Sequence, residues 1–255
     1  MRQGPGTTRR QVVVSGGGTG IGRALARRFA LAGDDVIVLG RREDVLATAA
    51  AELNGEADRE AVRDLAADLT LPEDVERVSA DLERAGAVVD VLVNNAGGVG
   101  GEEGEGLTGV QEDWEAEFRR NVLTAVLLTS ALDHLLRRPG ASVVNVSSIA
   151  AFLGGGDSYS GAKAALVGWT LDLATRYGAD GIRVNAVVPG YITGTEFFGD
   201  RMTDERHGRL VGRTLLGRAG EPEDVAGGVF FLASGDAAYI TGELLHINGG
   251  ALLGR

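Results

Sequence analysis

The chain of 255 residues contains no cysteine. A disulfide framework, a cysteine nucleophile and a thiolate metal site are therefore all excluded. Histidine is scarce: His134, His207 and His246 lie far apart and form no H-x-x-x-H pair, which argues against a zinc-hydrolase site. Lysine is scarcer still, because 24 of the 25 basic residues are Arg and the remaining one is Lys163. Basic residues are outnumbered overall, and the formal net charge of -11 argues against nucleic acid or an anionic membrane as a main partner. No apolar run approaches the ~20 residues of a membrane span. Met1–Thr8 lacks the apolar core of a signal peptide, and residues 1–9 are expected to form a flexible tail. The expected compartment is the cytoplasm. Only five prolines are present, so the 40 glycines do not signal disorder in a chain that is 44% hydrophobic.

Short β-branched runs alternate with longer amphipathic stretches. The apolar runs are Val12–Val14, Val36–Leu39, Val62–Leu65, Val88–Val93, Ser142–Val146, Val184–Val188 and Leu244–Ile247. They are nearly continuous, as strands are when a parallel sheet is covered on both faces. Helical patterns span Ile21–Ala32, Glu43–Leu53, Pro72–Ala85, Trp114–Leu136, Tyr159–Tyr177 and Pro222–Leu232. Pro72 and Pro222, each followed by Glu-Asp, suit the first turn of a helix. This alternation predicts one α/β domain over residues 10–255: a doubly wound, Rossmann-type parallel sheet of about seven strands with helices on both faces. The Gly-rich stretches Gly97–Gly109 and Gly154–Gly156 are read as following strands, on the ligand-binding edge.

Between the first strand and first helix stands Ser15-Gly16-Gly17-Gly18-Thr19-Gly20-Ile21-Gly22. Glycines there let the backbone approach a pyrophosphate, which rests on helix N–H groups. The second strand ends Leu39-Gly40-Arg41-Arg42, with glycine where a carboxylate would hold a ribose 2′-hydroxyl. Arg41 and Arg42 therefore favour NADP(H) over NAD(H). Their other reading is a solvated helix start, with Glu43 and Asp44 diluting the field. Asp68-Leu69, after the third strand, is a candidate lining for the adenine; a plain turn before Pro72 is the equal alternative.

Tyr159 and Lys163, four apart, share a helix face. A phenol titrates near pH ~10, and a nearby ammonium lowers that value, so the pair makes a tunable acid/base. A strand ends at Val146-Ser147-Ser148, eleven residues before Tyr159. Asn121 interrupts an apolar helix, so it either faces solvent or is kept for a hydrogen bond. Asn94-Asn95-Ala96-Gly97 closes the fourth strand, by turn chemistry or toward the cofactor edge.

Taken in order, Gly16/Gly20/Gly22, Asn94-Asn95-Ala96-Gly97, Asn121, Ser148, Tyr159-x-x-x-Lys163, Pro189-Gly190, Glu221-Pro222-Glu223-Asp224 and Ile247-Asn248-Gly249-Gly250 carry a resemblance. From about Arg10 to Gly250 the chain resembles the short-chain dehydrogenase/reductase family, in its classical rather than its extended branch. The resemblance implies hydride transfer between a nicotinamide and a ketone or secondary alcohol. It implies Tyr159 as general acid/base and Lys163 as the group that lowers its pKa and binds the nicotinamide ribose. Ser148 would donate to the substrate oxygen, with Ser147 the neighbouring alternative. Asn121 would hold a relay water. Thr19, Ile21, Asn95, Ala96, Gly97, Pro189, Gly190 and Ile192 would line the cofactor. Thr193 and Thr195 are both candidates for the nicotinamide amide.

The family also implies a lid, about residues 193–217, and a homotetramer or homodimer. Phe197, Phe198, Met202 and Leu210 in the lid suit a hydrophobic or 3-oxoacyl ketone. Arg201, Arg206, Arg209 and Arg213 there could meet an acyl-carrier protein, or simply form a solvated helix face. A non-catalytic dinucleotide-binding regulatory protein is the alternative function.

Overall fold

The computed structural model describes residues 9–100 and 104–253, so residues 1–8 of the tail expected at 1–9 and part of the first Gly-rich stretch lie outside the described residues. Seven strands form one sheet: β1 (Gln11–Ser15), β2 (Asp35–Gly40), β3 (Val62–Ala66), β4 (Val89–Asn94), β5 (Ser142–Val146), β6 (Arg183–Pro189) and β7 (Leu244–Ile247). Their order is β3-β2-β1-β4-β5-β6-β7, and every neighbouring pair is parallel. The doubly wound sheet of the sequence reading is thus present.

Alternation along the strands explains their continuous apolarity. Val12 and Val14 pack on one face against α1 (Gly20–Leu31), α2 (Glu43–Ala57) and α9 (Pro222–Leu232), through Leu25, Phe29, Leu46, Val229 and Leu232. Val13 packs on the other face against α3 (Pro72–Arg84), α5 (Thr124–Leu132) and α7 (Ser158–Tyr177), through Val78, Leu82, Leu128 and Leu173. Each fully buried Val or Leu stabilises the sheet by about 1.5–3 kcal/mol before the entropy of ordering it is subtracted.

Three differences from the sequence reading matter for the site. The stretch read as one helix, Trp114–Leu136, begins earlier, at α4 (Gly106–Phe118). It widens into a π-helical turn at Arg119–Leu123, continues as α5, and ends in a 3₁₀ turn at Asp133–Leu135. Gly154–Gly156 does not follow a strand; it follows a short helix, α6 (Ala150–Leu153), inserted after β5. The segment expected as a lid carries its own helix, α8 (Asp204–Val211), capped by the Thr203 hydroxyl, which accepts from Arg206 N at 3.2 Å.

Helix α9 begins where Pro222 and the acidic pair predict. Glu221 and Asp224 form a reciprocal capping box, in which Glu221 N donates to Asp224 Oδ2 at 2.9 Å. Arg218 donates to both Asp224 oxygens, at 2.6 and 2.8 Å. Arg218 first, then the Glu221 N–H, holds the Asp224 carboxyl down at about 2. Asp224→Ala should cost about 1 kcal/mol in urea unfolding at neutral pH, the strength of a helix cap; the exposed Arg218 pair adds little. A carboxyl whose folded pKa is depressed stabilises above its ordinary value and loses that contribution as pH falls through the folded one. The gap between wild type and variant should therefore close as pH falls from about 4 through 2.

Candidate active site

The winding of the sheet reverses at the carboxyl ends of β1 and β4, the place where open α/β sheets form their ligand crevice. One wall is the glycine turn. A Cβ at Gly22 would collide with the Gly16 carbonyl oxygen, so α1 can approach the turn this closely only with glycine there. Thr19 caps α1 without spending its side chain on the helix N–H groups, and the first turn carries no acidic residue. That N-terminus, with Gly20 and Ile21 behind it, is open to an anion. The Thr195 methyl group covers Gly20, whereas the Thr193 hydroxyl donates to Gly220 O at 3.1 Å. Of the two threonines, Thr195 is the one against the glycine turn. Ile192 forms a bridge to Gly220, and Gly190 N, after Pro189, donates to Ile247 O at 3.0 Å.

The β4 wall is tied to the glycine turn by a residue the sequence reading passed over. The Ser15 hydroxyl accepts from Asn95 N and Ala96 N, both at 2.9 Å. Asn95 Nδ2 donates back to Ser15 O and Gly16 O at 2.9 and 3.2 Å. Asn94 turns away from the crevice: its Nδ2 donates to Asn145 Oδ1 and Thr129 Oγ1 inside the sheet layer, at 2.8 and 2.9 Å.

At the adenosine end the findings are mixed. Leu69 is buried in the core on the α3 face. Asp68 Oδ1 accepts from the Thr70 amide and hydroxyl, which is the turn reading of this residue. Arg41 is exposed at the end of β2. Arg42 reaches across to the segment after β6, where its guanidinium donates to both Glu196 oxygens at 3.3 and 2.7 Å. Both partners are more than half exposed, so the pair is worth at most about 1 kcal/mol.

On the other side of the crevice four side chains converge. Tyr159 and Lys163 project from α7, 8% and 4% exposed, with Lys163 Nζ 5.8 Å from the centroid of the Tyr159 ring. Nζ donates to Val146 O at 3.0 Å. The two serines divide: Ser147 Oγ donates to the Lys163 carbonyl at 2.9 Å, while Ser148 Oγ lies against the Tyr159 phenol. Asn121 occupies the π-helical turn, 1% exposed, so it is kept for hydrogen bonds and does not face solvent. Its Nδ2 donates to Gly98 O at 2.8 Å and its Oδ1 accepts from Gly98 N at 3.1 Å. A Cβ at Gly97 would stand 2.6 Å from Asn121 Oδ1 and 3.2 Å from Lys163 Nζ. The missing side chain lets the lysine and the amide face each other across one narrow space. The Phe197 ring packs against Tyr159, with ring centroids 5.3 Å apart.

Electrostatics correct one expectation. Burial pushes the Tyr159 phenol up, opposed by the Ser148 hydrogen bond, and the Lys163 ammonium does not reverse it. The phenol is therefore a protonated donor at neutral pH. Burial also pulls Lys163 down to about 8, against the field of Glu117. Among the described residues no three His, Asp or Glu side chains gather as a metal site, and no helix is long and apolar enough to cross a membrane.

A glycine turn at the switch point of a parallel sheet, facing a buried Tyr and Lys, defines an α/β protein of the dinucleotide-binding class. Comparison with known proteins agrees. The family model described as enoyl-(acyl carrier protein) reductase matches residues 16–251. The chain is 39% identical over 235 residues to the human protein dehydrogenase/reductase SDR family member 4, covering 91% of this chain and 83% of that one. It is 34% identical over 243 residues to a 3-oxoacyl-(acyl-carrier-protein) reductase of Aquifex aeolicus, covering 93% and 95%. Over 243 residues it is 32% identical to 2-dehydro-3-deoxy-D-gluconate 5-dehydrogenase of Bacillus subtilis, covering 94% and 93%. The solved structure of a short-chain type dehydrogenase/reductase from Mycobacterium ulcerans superposes with a TM-score of 0.85 at 29% identity, over 95% of this chain and 89% of that one. The chain belongs to the short-chain dehydrogenase/reductase family. It is an oxidoreductase of that family, whose members bind a nicotinamide dinucleotide.

Proposed function

We propose that the protein is an NADP(H)-dependent reductase of ketones, running in reverse as a dehydrogenase of secondary alcohols. The observation that carries this reading is the meeting of Ser148, Tyr159, Lys163 and Asn121 in one crevice with the glycine turn. The cofactor fits the residues present: the open N-terminus of α1 suits a pyrophosphate, and Arg41 and Arg42 suit a 2′-phosphate. When bound, the nicotinamide supplies or accepts the hydride.

The chain's own residues do the rest. The Ser148 hydroxyl donates a hydrogen bond to the substrate oxygen as negative charge grows there. Tyr159 gives its phenolic proton to that oxygen, or withdraws it from an alcohol. Lys163 replenishes the proton and binds the nicotinamide ribose, while Asn121 holds a water behind it. The Phe197 ring over Tyr159 excludes bulk water and favours a hydrophobic ketone, 3-oxoacyl chains included. Residues 10–255 act as one domain, with 193–217 as its lid.

Mixing the protein with NADPH and a panel of aliphatic, cyclic and 3-oxoacyl ketones should lower the absorbance at 340 nm with at least one of them. A flat trace with all of them would sink the reading. Cofactor choice has a separate test. A 2′-phosphate displaces Glu196 from Arg42 at little cost, because that exposed pair is weak. A charge-assisted hydrogen bond is worth about 1.5–3 kcal/mol, so Arg42→Ala should raise KM for NADPH about tenfold or more and leave KM for NADH nearly unchanged. Equal losses with both cofactors would refute the NADP assignment.

The compartment we infer is the cytoplasm, and the assembly a homotetramer or homodimer. Leu107, Trp114 and Leu123, on α4 and its π-helical extension, and Leu171 on α7 are exposed large hydrophobic residues that a second copy would cover. The exposed arginines Arg201 and Arg209 of the lid leave an acyl-carrier protein as a substrate carrier, against the net charge of -11.

A further inference from the structure

We propose that Glu117 is a positioning residue of the active site: its buried carboxylate clamps the Asn121 amide and acts as the counter-charge that keeps Lys163 protonated. The proposal rests on the oxidoreductase reading above, in which Lys163 and Asn121 serve Tyr159.

Glu117 lies in the last turn of α4, just before the helix widens, and is 2% exposed. A carboxylate this deep is costly unless every oxygen is engaged. Here both are. Oε1 accepts from Gly100 N at 2.8 Å and from the Arg120 guanidinium at 2.7 Å. Oε2 accepts from Asn121 Nδ2 at 2.8 Å. All three partners are donors, so a carboxylate satisfies them and a neutral amide would set one N–H against another. With Nδ2 held by Glu117 and by Gly98 O, the Asn121 amide has one orientation, and its Oδ1 is presented to the space beside Lys163.

Lys163 needs such a neighbour. Its hydrogen bond to Val146 O is to a neutral acceptor. The groups that face it are Tyr159 on its own helix, Ser147 after β5 with Ser148 beyond it, and Asn121 on the π-helical turn, with the Glu117 carboxylate of α4 one hydrogen bond behind Asn121. Asp113, also on α4, is engaged by the Ser158 hydroxyl. Among these, Glu117 is the acidic side chain whose field raises the Lys163 pKa against burial. Arg120, about one-third exposed, partly offsets that field from the solvent side.

The single lysine makes the test direct. Protein grown with lysine carrying 13C at Cε gives one lysine resonance, and its shift against pH titrates Lys163 with no turnover required. In wild type the midpoint should fall near 8. In Glu117→Gln it should fall lower by roughly one pH unit, the effect expected when a nearby opposite charge is lost. In Arg120→Gln it should rise, because the same carboxylate is then less neutralised. Glu117→Asp should restore much of the wild-type value. The alkaline limb of the kcat–pH profile should move with each midpoint while KM for the ketone stays nearly constant. A purely structural role would lower thermal stability without moving the midpoint.

An unmoved midpoint in folded Glu117→Gln overturns the proposal. Should that variant not fold, Arg120→Gln decides, and an unmoved or lowered midpoint there overturns it. Because the resonance is read without substrate, this outcome is independent of whether any ketone is reduced.

Discussion

Tyr159→Phe should lower kcat for ketone reduction by about 10²–10⁴-fold, the usual contribution of a positioned general acid. The substitution removes one oxygen and keeps the ring that packs against Phe197. Its cost in stability is small, because the phenol gives up only its contact with the Ser148 hydroxyl. NADPH binding, followed by its fluorescence, should survive, so loss of turnover with retained binding identifies a chemical role. A dinucleotide-binding regulator without catalysis predicts no effect of Tyr159→Phe on any measured rate.

The phenol also sets a direction to the pH dependence. Burial holds it protonated through neutral pH, so the free protein is ready to donate, as reduction requires. Alcohol oxidation needs the phenolate and should speed up as pH rises. The same shift has a stability consequence. A phenol whose folded pKa is raised favours the folded state least above the value of the unfolded chain, so stability should fall as pH rises past about 10. Tyr159→Phe should flatten that fall. If reduction proceeds at wild-type rate in Tyr159→Phe, the proton comes from elsewhere and the mechanism is wrong.

Much of this architecture was legible because burial on both faces of a parallel sheet leaves a strong local signal. Ser142–Val146, Leu244–Ile247 and Pro222–Leu232 have the predicted boundaries. The helix around Asn121 was harder. Its true start at Gly106 is hidden by Gly106 and Gly109, and Asn121 in the π-helical turn bonds to Gly98, a contact across 23 residues. Helix α8 buries none of its residues, so it has no apolar stripe for periodicity to detect.

Within the site, Tyr159 and Lys163 were named by their four-residue spacing, Ser148 by its place at a strand end and Asn121 as a polar residue in an apolar helix, and the family resemblance supplied their roles. Glu117 was missed for the opposite reason. Trp114-Glu115-Ala116-Glu117 reads as an ordinary solvated face, and only the packing of α4 against α7 buries its second acid. Ser15 was absorbed into the small residues of the glycine turn. The Arg42–Glu196 pair joins positions 154 residues apart and has no sequence signature.

Lys163→Arg should abolish activity, although arginine fills every other basic position of the chain. The Nζ site is fitted to a compact ammonium: Val146 O takes one N–H, and Gly97 leaves just the space that Nζ and Asn121 Oδ1 occupy. A guanidinium brings five N–H donors on a broad plane. Overpacking of this kind costs about 1–3 kcal/mol, and each unsatisfied buried donor adds about as much again. For a chain of this size each kcal/mol lowers Tm by about 2–4 °C, so a drop of several degrees is expected.

Charge and shape separate in a second variant, Lys163→Met, which keeps the unbranched stem and discards the ammonium. Lys163 has its pKa pulled down to about 8 from the ordinary 10.5, so holding it charged opposes folding below the lower value. Between the two values the unfolded chain binds more protons than the folded one, and wild-type stability should rise with pH across that window. Lys163→Met should lose that rise and unfold at equal or higher urea concentration near pH 7. It should be as inactive as Lys163→Arg. A stable, inactive Met variant beside an unstable, inactive Arg variant is the result that assigns the lysine to the reaction and not to the packing. A Met variant that still reduces ketones at more than about a tenth of the wild-type rate would remove Lys163 from the proton path, since a positioned proton-transfer group contributes at least about 10²-fold.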